Sequence, residues 1–198
     1  MRGLCEVLRL PHITAAGTLL AAACHTAPPP EPAAAAPPQP SPAARGEYLV
    51  KILACNDCHT PYKVGPNGPE PDMTRMLSGH PESPVLPAPR IPPADDPWNW
   101  GGAGTNTAFF GPWGVSYASN LTPEELTGMG IYTEDVFISS IRTGRHRGVA
   151  RPIAPPMPWP SYSQMTDDDL KAVYAYLRTI PPVRNQVPDY DPPPGASQ

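Results

Sequence analysis

An all-α domain with long loops is the fold class that this 198-residue sequence predicts. Three observations predict it. Residues 133–143 and 166–179 each carry apolar side chains at helical spacing between a Thr cap and a Gly or Pro stop. Residues 45–54 show the same spacing and lead directly into the run Cys55-Asn56-Asp57-Cys58-His59. No segment shows convincing strand alternation.

The elements follow in order. In 45–54, Tyr48, Leu49, Ile52 and Leu53 fall on one helical face. Residues 61–114 are rich in Pro and Gly and hold Trp98, Trp100, Phe109, Phe110 and Trp113, and they read as a long loop wrapped over a flat apolar body. In 133–143, Thr133 caps, Glu134 and Asp135 suit the positive helix end, and Gly144 stops the helix. In 166–179, Thr166 caps, three acids fill the first turn, and Leu170, Val173, Tyr174 and Leu177 form the stripe. Pro181-Pro182 ends it. A folded domain is expected over 45–185, with an extended Pro-rich tail over 186–198.

Composition narrows the function. The 33 prolines are concentrated outside the helices, and a net charge of -4 leaves no electrostatic footprint for nucleic acid. No stretch reaches the roughly 18 apolar residues of a membrane-spanning helix. Residues 1–23 read as an export signal, with Arg2 and Arg9 ahead of the short apolar stretch 13–23. Leu19 to Cys24 (LLAAAC) resembles a bacterial lipobox, in which the cysteine becomes the lipid-modified first residue. Ala21 stands where Leu is usual, so ordinary cleavage near Ala23 remains the alternative. Residues 24–44 then form a lipidated Cys24 and a Pro/Ala linker, expected to be extended and disordered.

The chemistry is concentrated in Cys55-x-x-Cys58-His59. That spacing is the attachment signature of c-type haem: two thiols add to the porphyrin's vinyl groups, and the adjacent imidazole ligates iron from the proximal side. One such run implies one covalent haem c. Among the four cysteines, Cys5 leaves with the signal and Cys24 would otherwise be an odd thiol, which lipidation explains.

The haem motif near the start of the domain and a helix at its end resemble the class I c-type cytochromes. So do Ser119-Asn120-Leu121-Thr122-Pro123, Ile141-Arg142-Thr143-Gly144-Arg145 and Pro155-Pro156-Met157-Pro158-Trp159. The resemblance implies that the first and last helices cross beside the haem. It also implies a Met on the loop before the last helix as second axial ligand, here Met157. Its competitors are Met165, Met73, Met76 and Met129, with His80 and His146 as alternative imidazoles. Arg142 is the candidate for a haem propionate, with Trp159 and Tyr162 packing on the ring or reaching a propionate. Arg145, His146, Arg147 and Arg151 could present positive charge to an acidic partner.

The function expected is one-electron transfer between periplasmic or membrane redox partners, as a free carrier or as the cytochrome subunit of a dehydrogenase. No small-molecule substrate is expected, because no acid/base pair or activated nucleophile is visible. The lipobox places the protein on the outer face of a bacterial membrane; ordinary cleavage would release it. Two rivals use the same residues: a thiol-disulfide oxidoreductase, which lacks its usual βαβ setting, and a structural zinc module, which lacks a fourth ligand.

Overall fold

The computed structural model describes residues 39–93, 95–193 and 195. The expected signal segment 1–23, Cys24 and most of the linker lie outside the described residues.

Helix α1 spans Pro42–Ile52, starting ahead of the expected Arg45 because Ser41 supplies the cap: its side chain accepts from Ala44 N at 3.2 Å, and Pro42 takes the first helical position. A short helix α2, Cys55–His59, holds the haem motif. Helix α3 is Glu134–Thr143, capped by Thr133 and closed by Gly144 in the left-handed conformation. A short α4, Trp159–Tyr162, precedes α5, Asp167–Leu177, whose cap is Thr166.

α1 and α5 pack on each other, and their contact is the centre of the core. Leu49 and Val50 from α1 meet Leu170, Val173 and Leu177 from α5, with Phe137 and Ile141 of α3 in the same cluster. Gly46 permits the close approach. A Cβ placed there would lie 1.9 Å from the Ala172 carbonyl oxygen and 2.8 Å from Tyr176 Cβ. The Arg45–Asp169 ion pair at 3.0 Å bridges the same two helices at the surface, where such pairs contribute about 1 kcal/mol or less.

The fold is mixed α/β, which corrects the all-α expectation. The segment 61–114 holds most of two antiparallel sheets. In one, β1 (Tyr62–Gly65) pairs with β2 (Gly68–Pro71). In the other, β3 (Gly101–Gly102), β4 (Ala108–Gly111) and β5 (Gly114–Tyr117) lie in that order. The strands are at most four residues long, too short for a periodic signal, and the first hairpin is half-exposed on both faces. Their turns were the readable feature: Gly65-Pro66-Asn67-Gly68 and Gly111-Pro112-Trp113-Gly114 share a G-P-x-G pattern, with positive φ at both final glycines (+113° and +95°). Pro second and Gly fourth is a turn signature.

The segment after α5 runs extended back to the second sheet. Val115 N donates to Asp191 O at 2.7 Å, and Asp191 N to Val115 O at 3.0 Å. A Cβ on Gly114 would meet Asp191 O at 2.1 Å. Buried Asn185 locks this segment to the insertion. Its Nδ2 donates to the carbonyls of Ser78 and His80, and its Oδ1 accepts from Glu82 N and Arg75 Nη2. Among the described residues no helix is long and apolar enough to cross a membrane.

Gly46→Ala tests the crossing. Ala is the better helix former by about 1 kcal/mol, yet its methyl group meets a backbone carbonyl that cannot rotate away. We expect a net loss of about 1–3 kcal/mol, read as a lower unfolding midpoint in urea; an unchanged or raised midpoint would refute the close-packing account.

Candidate functional site

The chain leaves α1 through Ala54, a non-glycine residue at φ 57°. This left-handed step, which costs about 1–3 kcal/mol where Gly is absent, turns the backbone so that α2 starts on a new axis. α2 is then held from outside. Thr60 Oγ1 donates to Asn56 Oδ1 at 2.8 Å and accepts from Leu77 N at 2.8 Å. Gly79 N donates to His59 O at 2.8 Å, and Asn106 Nδ2 to Asp57 O at 2.6 Å. The insertion therefore grips the motif from several points.

His59 is buried, and its Nδ1 is 2.7 Å from the carbonyl oxygen of Ser119. A carbonyl only accepts, so Nδ1 carries the proton and Nε2 keeps its lone pair. Burial lowers the imidazole's pKa, against an opposing effect from the Ser119 bond. Nε2 has no hydrogen-bond partner among the described residues. A neutral imidazole with one nitrogen tied down and the other free is the form that binds a metal.

Cys55, Cys58, His59 and Met157 all line one cavity of about 400 Å³. Leu53, Phe137, Ile141 and Val173 supply part of its apolar wall. Burial pushes the Cys55 thiol up to about 11 and, with Asp57, raises Cys58 as well. Thiols of that kind are poor redox nucleophiles, which need a lowered pKa, so the pair does not suit a thiol-disulfide centre. Among the described residues no three His, Cys, Asp or Glu side chains form a metal-holding group.

Met157 is half-buried against the core. Its loop is fixed at two points ahead of the methionine. Ser116 Oγ donates to Pro155 O at 2.6 Å, and Ile153 N donates to Gly144 O at 2.8 Å. Gly144, at φ +63°, lies against the Trp159 indole; a Cβ there would fall 2.4 Å from the ring. The Ile141–Arg145 motif thus contains a glycine, Gly144, whose missing side chain seats the tryptophan just past Met157.

The other candidates are sorted by the geometry. Arg142 does not line the cavity: its guanidinium donates to Asp167 Oδ1 at 2.5 Å and to Ser163 O, tying α3 to the start of α5. Trp159 is likewise absent from the cavity wall and packs on Gly144. Tyr162 does line it, with its hydroxyl donating to Leu53 O at 2.6 Å and its pKa pushed up to about 12, chiefly by burial. His80 is buried elsewhere, with Nδ1 2.9 Å from Thr107 Oγ1 and its ring against Tyr117. Of the basic group, His146, Arg147 and Arg151 reach the cavity. Met129 and Met165 line it as well, whereas Met73 and Met76 do not. The residues that sequence reasoning missed are Ser119, which acts through its carbonyl and so leaves no side-chain signal, Ser116, and the wall residues 186–189 of the C-terminal segment.

The donor set fits haem c: paired thiols and a lone-pair nitrogen on one short helix, a thioether from another segment, and an apolar enclosure between them. No family model matches the sequence. Curated relatives do, among them the following three. The fructose dehydrogenase cytochrome subunit of Gluconobacter japonicus is 30% identical over 161 residues, 81% of this chain and 26% of that protein. The gluconate 2-dehydrogenase cytochrome c subunit of Pantoea cypripedii is 40% identical over 86 residues, 41% of this chain and 19% of the relative. The cytochrome c subunit of the quinone alcohol dehydrogenase of Gluconobacter oxydans is 28% identical over 148 residues, 73% and 23% of the two chains.

The chain is therefore similar to the c-type cytochromes, whose cofactor is covalently bound haem with its iron. Within that class it is similar to cytochrome subunits of dehydrogenases, and it spans about a quarter of the length of these relatives.

Gly144→Ala tests how the Met157 loop is seated. The left-handed conformation costs an L-residue about 1–2 kcal/mol, and the added methyl displaces the Trp159 indole. We expect lower stability together with an altered near-ultraviolet Trp signal. An unperturbed signal would mean that the indole does not depend on this glycine.

Proposed function

We propose that this protein is a single-haem electron carrier whose haem is attached at Cys55 and Cys58 and ligated by His59 and Met157. The observation that carries the reading is His59: Nδ1 donates to Ser119 O, and Nε2 belongs to a buried neutral ring on the wall of a cavity that Met157 also lines. When bound, haem c supplies a one-electron Fe(III)/Fe(II) couple.

The chain's own residues do the rest. Asn56, Thr60 and Asn106 hold the motif helix. The Ser119 carbonyl fixes the tautomer and orientation of His59 and raises its basicity. The Pro155–Pro158 segment holds the Met157 thioether, a soft ligand that favours the ferrous state and raises the potential. The apolar wall excludes water, which favours the less charged ferrous site in the same direction.

The partner class follows from the relatives, which are named as cytochrome subunits of dehydrogenases. We place this chain as the electron-accepting module beside a dehydrogenase catalytic subunit, passing electrons to a further redox protein. It works outside the cytoplasm, anchored through a lipidated Cys24 that follows the export signal.

Replacing Cys55 and Cys58 together by Ala is expected to abolish haem that survives denaturation; haem retained by that double variant would overturn the attachment assignment. Met157→Ala should remove the ferric charge-transfer band of Fe–S(Met) ligation, and Met157→His should keep six-coordination at a lower potential. Survival of that band in Met157→Ala would move the ligand elsewhere, to Met129 or Met165.

Fractionation tests the anchor separately. The wild type should partition with membranes and Cys24→Ser should be released, whereas a wild type found entirely in the soluble exported fraction would exclude lipidation.

A further inference from the structure

Haem brings two propionate carboxylates into a cavity whose walls are mostly apolar, and charged groups placed there require partners. Among the cavity-lining residues only Arg147 and Arg151 carry guanidinium groups. Both lie on one loop, whose arms are joined by pairing between Arg145 and Pro152 and by the bond from His146 N to Arg151 O at 3.0 Å. Arg147 sits at φ 53° next to Gly148 at φ 77°, so the turn holds a non-glycine residue in a costly conformation.

Neither guanidinium forms an ion pair among the described residues, whereas Arg45 and Arg142 each have an aspartate. The side-chain hydrogen bond of Arg151, to Pro152 O, is long at 3.4 Å. Instead its guanidinium carbon lies 5.1 Å from the centre of the Tyr190 ring, a cation–π contact. Tyr190 is itself fixed, since its hydroxyl donates to Trp113 O and the next residue pairs with Val115. Gln186, Val187, Pro188 and Asp189 of the same segment line the cavity.

Resting on the haem assignment above, we propose that Arg151, with Arg147 beside it, holds the haem propionates, and that Tyr190 positions Arg151 for this. The chemistry is guanidinium to carboxylate, the pairing with the best geometric match among side chains. Through Tyr190 the C-terminal segment acts on the reduction potential: a neutralised propionate stabilises Fe(III) less than a bare one does, so the pairing raises the potential.

The test is redox titration of the haem-loaded protein. Arg151→Gln should shift the equilibrium about tenfold toward Fe(III), a midpoint lowered by about 59 mV for one electron, with the His/Met spectrum retained. Arg151→Lys, which keeps the charge, should recover most of the shift. Tyr190→Leu should lower the midpoint in the same direction, and Tyr190→Phe, which keeps the ring, should not. Arg90→Gln, the same charge change on an exposed residue that does not line the cavity, should leave the midpoint in place. A midpoint in Arg151→Gln no different from Arg90→Gln overturns the proposal. Should Arg151→Gln fail to fold, Tyr190→Leu decides alone, by the same shift or its absence. A wild type without attached haem overturns both readings; attached haem with an unshifted midpoint overturns only this one.

Discussion

The approach of α1 to α5 at Gly46 and Ala172 is the constraint on which the remaining structure depends. α1 delivers the motif helix from its C-terminal end, and α5 follows the Met157 loop through the short α4. Their crossing sets where these two segments stand relative to each other, before any contact at the cavity is made. A glycine at the contact removes the side chain that would otherwise separate the two backbones. Leu49, Val50, Leu170, Val173 and Leu177 then bury against one another around that point, each worth about 1.5–3 kcal/mol of apolar burial. Surface charges such as Arg45–Asp169 add little by comparison.

Given that frame, the insertion holds the motif helix rather than covering the cavity: of its aromatic residues only Phe109 lines the wall, and Trp98 and Trp100 are exposed. A five-residue helix has no independent stability, so the orientation of His59 has to come from tertiary contacts. The insertion and the Ser119 segment provide them. Thr60, Leu77, Gly79 and Asn106 bond around the motif, and Ser119 holds the ring. A mobile imidazole would have to be ordered at each ligation event; here that ordering is already built into the fold.

The helices were legible because each carries its own punctuation: Thr133 and Gly144 around α3, Thr166 and Pro181 around α5. The start of α1 was misplaced because Ser41 and Pro42 stand at the end of a Pro-rich run and look like linker. The strands were missed because four residues give no usable period, and because the alternation argument looks at strands when the signal lay in the two G-P-x-G turns. Among candidate site residues, the C-x-x-C-H run stands out in the sequence because its spacing matches the chemistry of one ligand. Arg142 was not correctly placeable from sequence. It falls on a helix face whose neighbour, Asp167, is set by the packing of α3 on α5, and Arg147 and Arg151 reach the cavity only through a turn with two left-handed residues.

Asn185 couples two parts of the domain that share no secondary structure. One buried amide satisfies backbone groups at Ser78, His80 and Glu82, and the residues directly after it, 186–189, line the cavity. Without that side chain those backbone groups would lose their partners while shut away from water, a cost of about 1–3 kcal/mol each. The resting place of the insertion and the position of the cavity wall are therefore tied through a single side chain, so that neither can shift without the other.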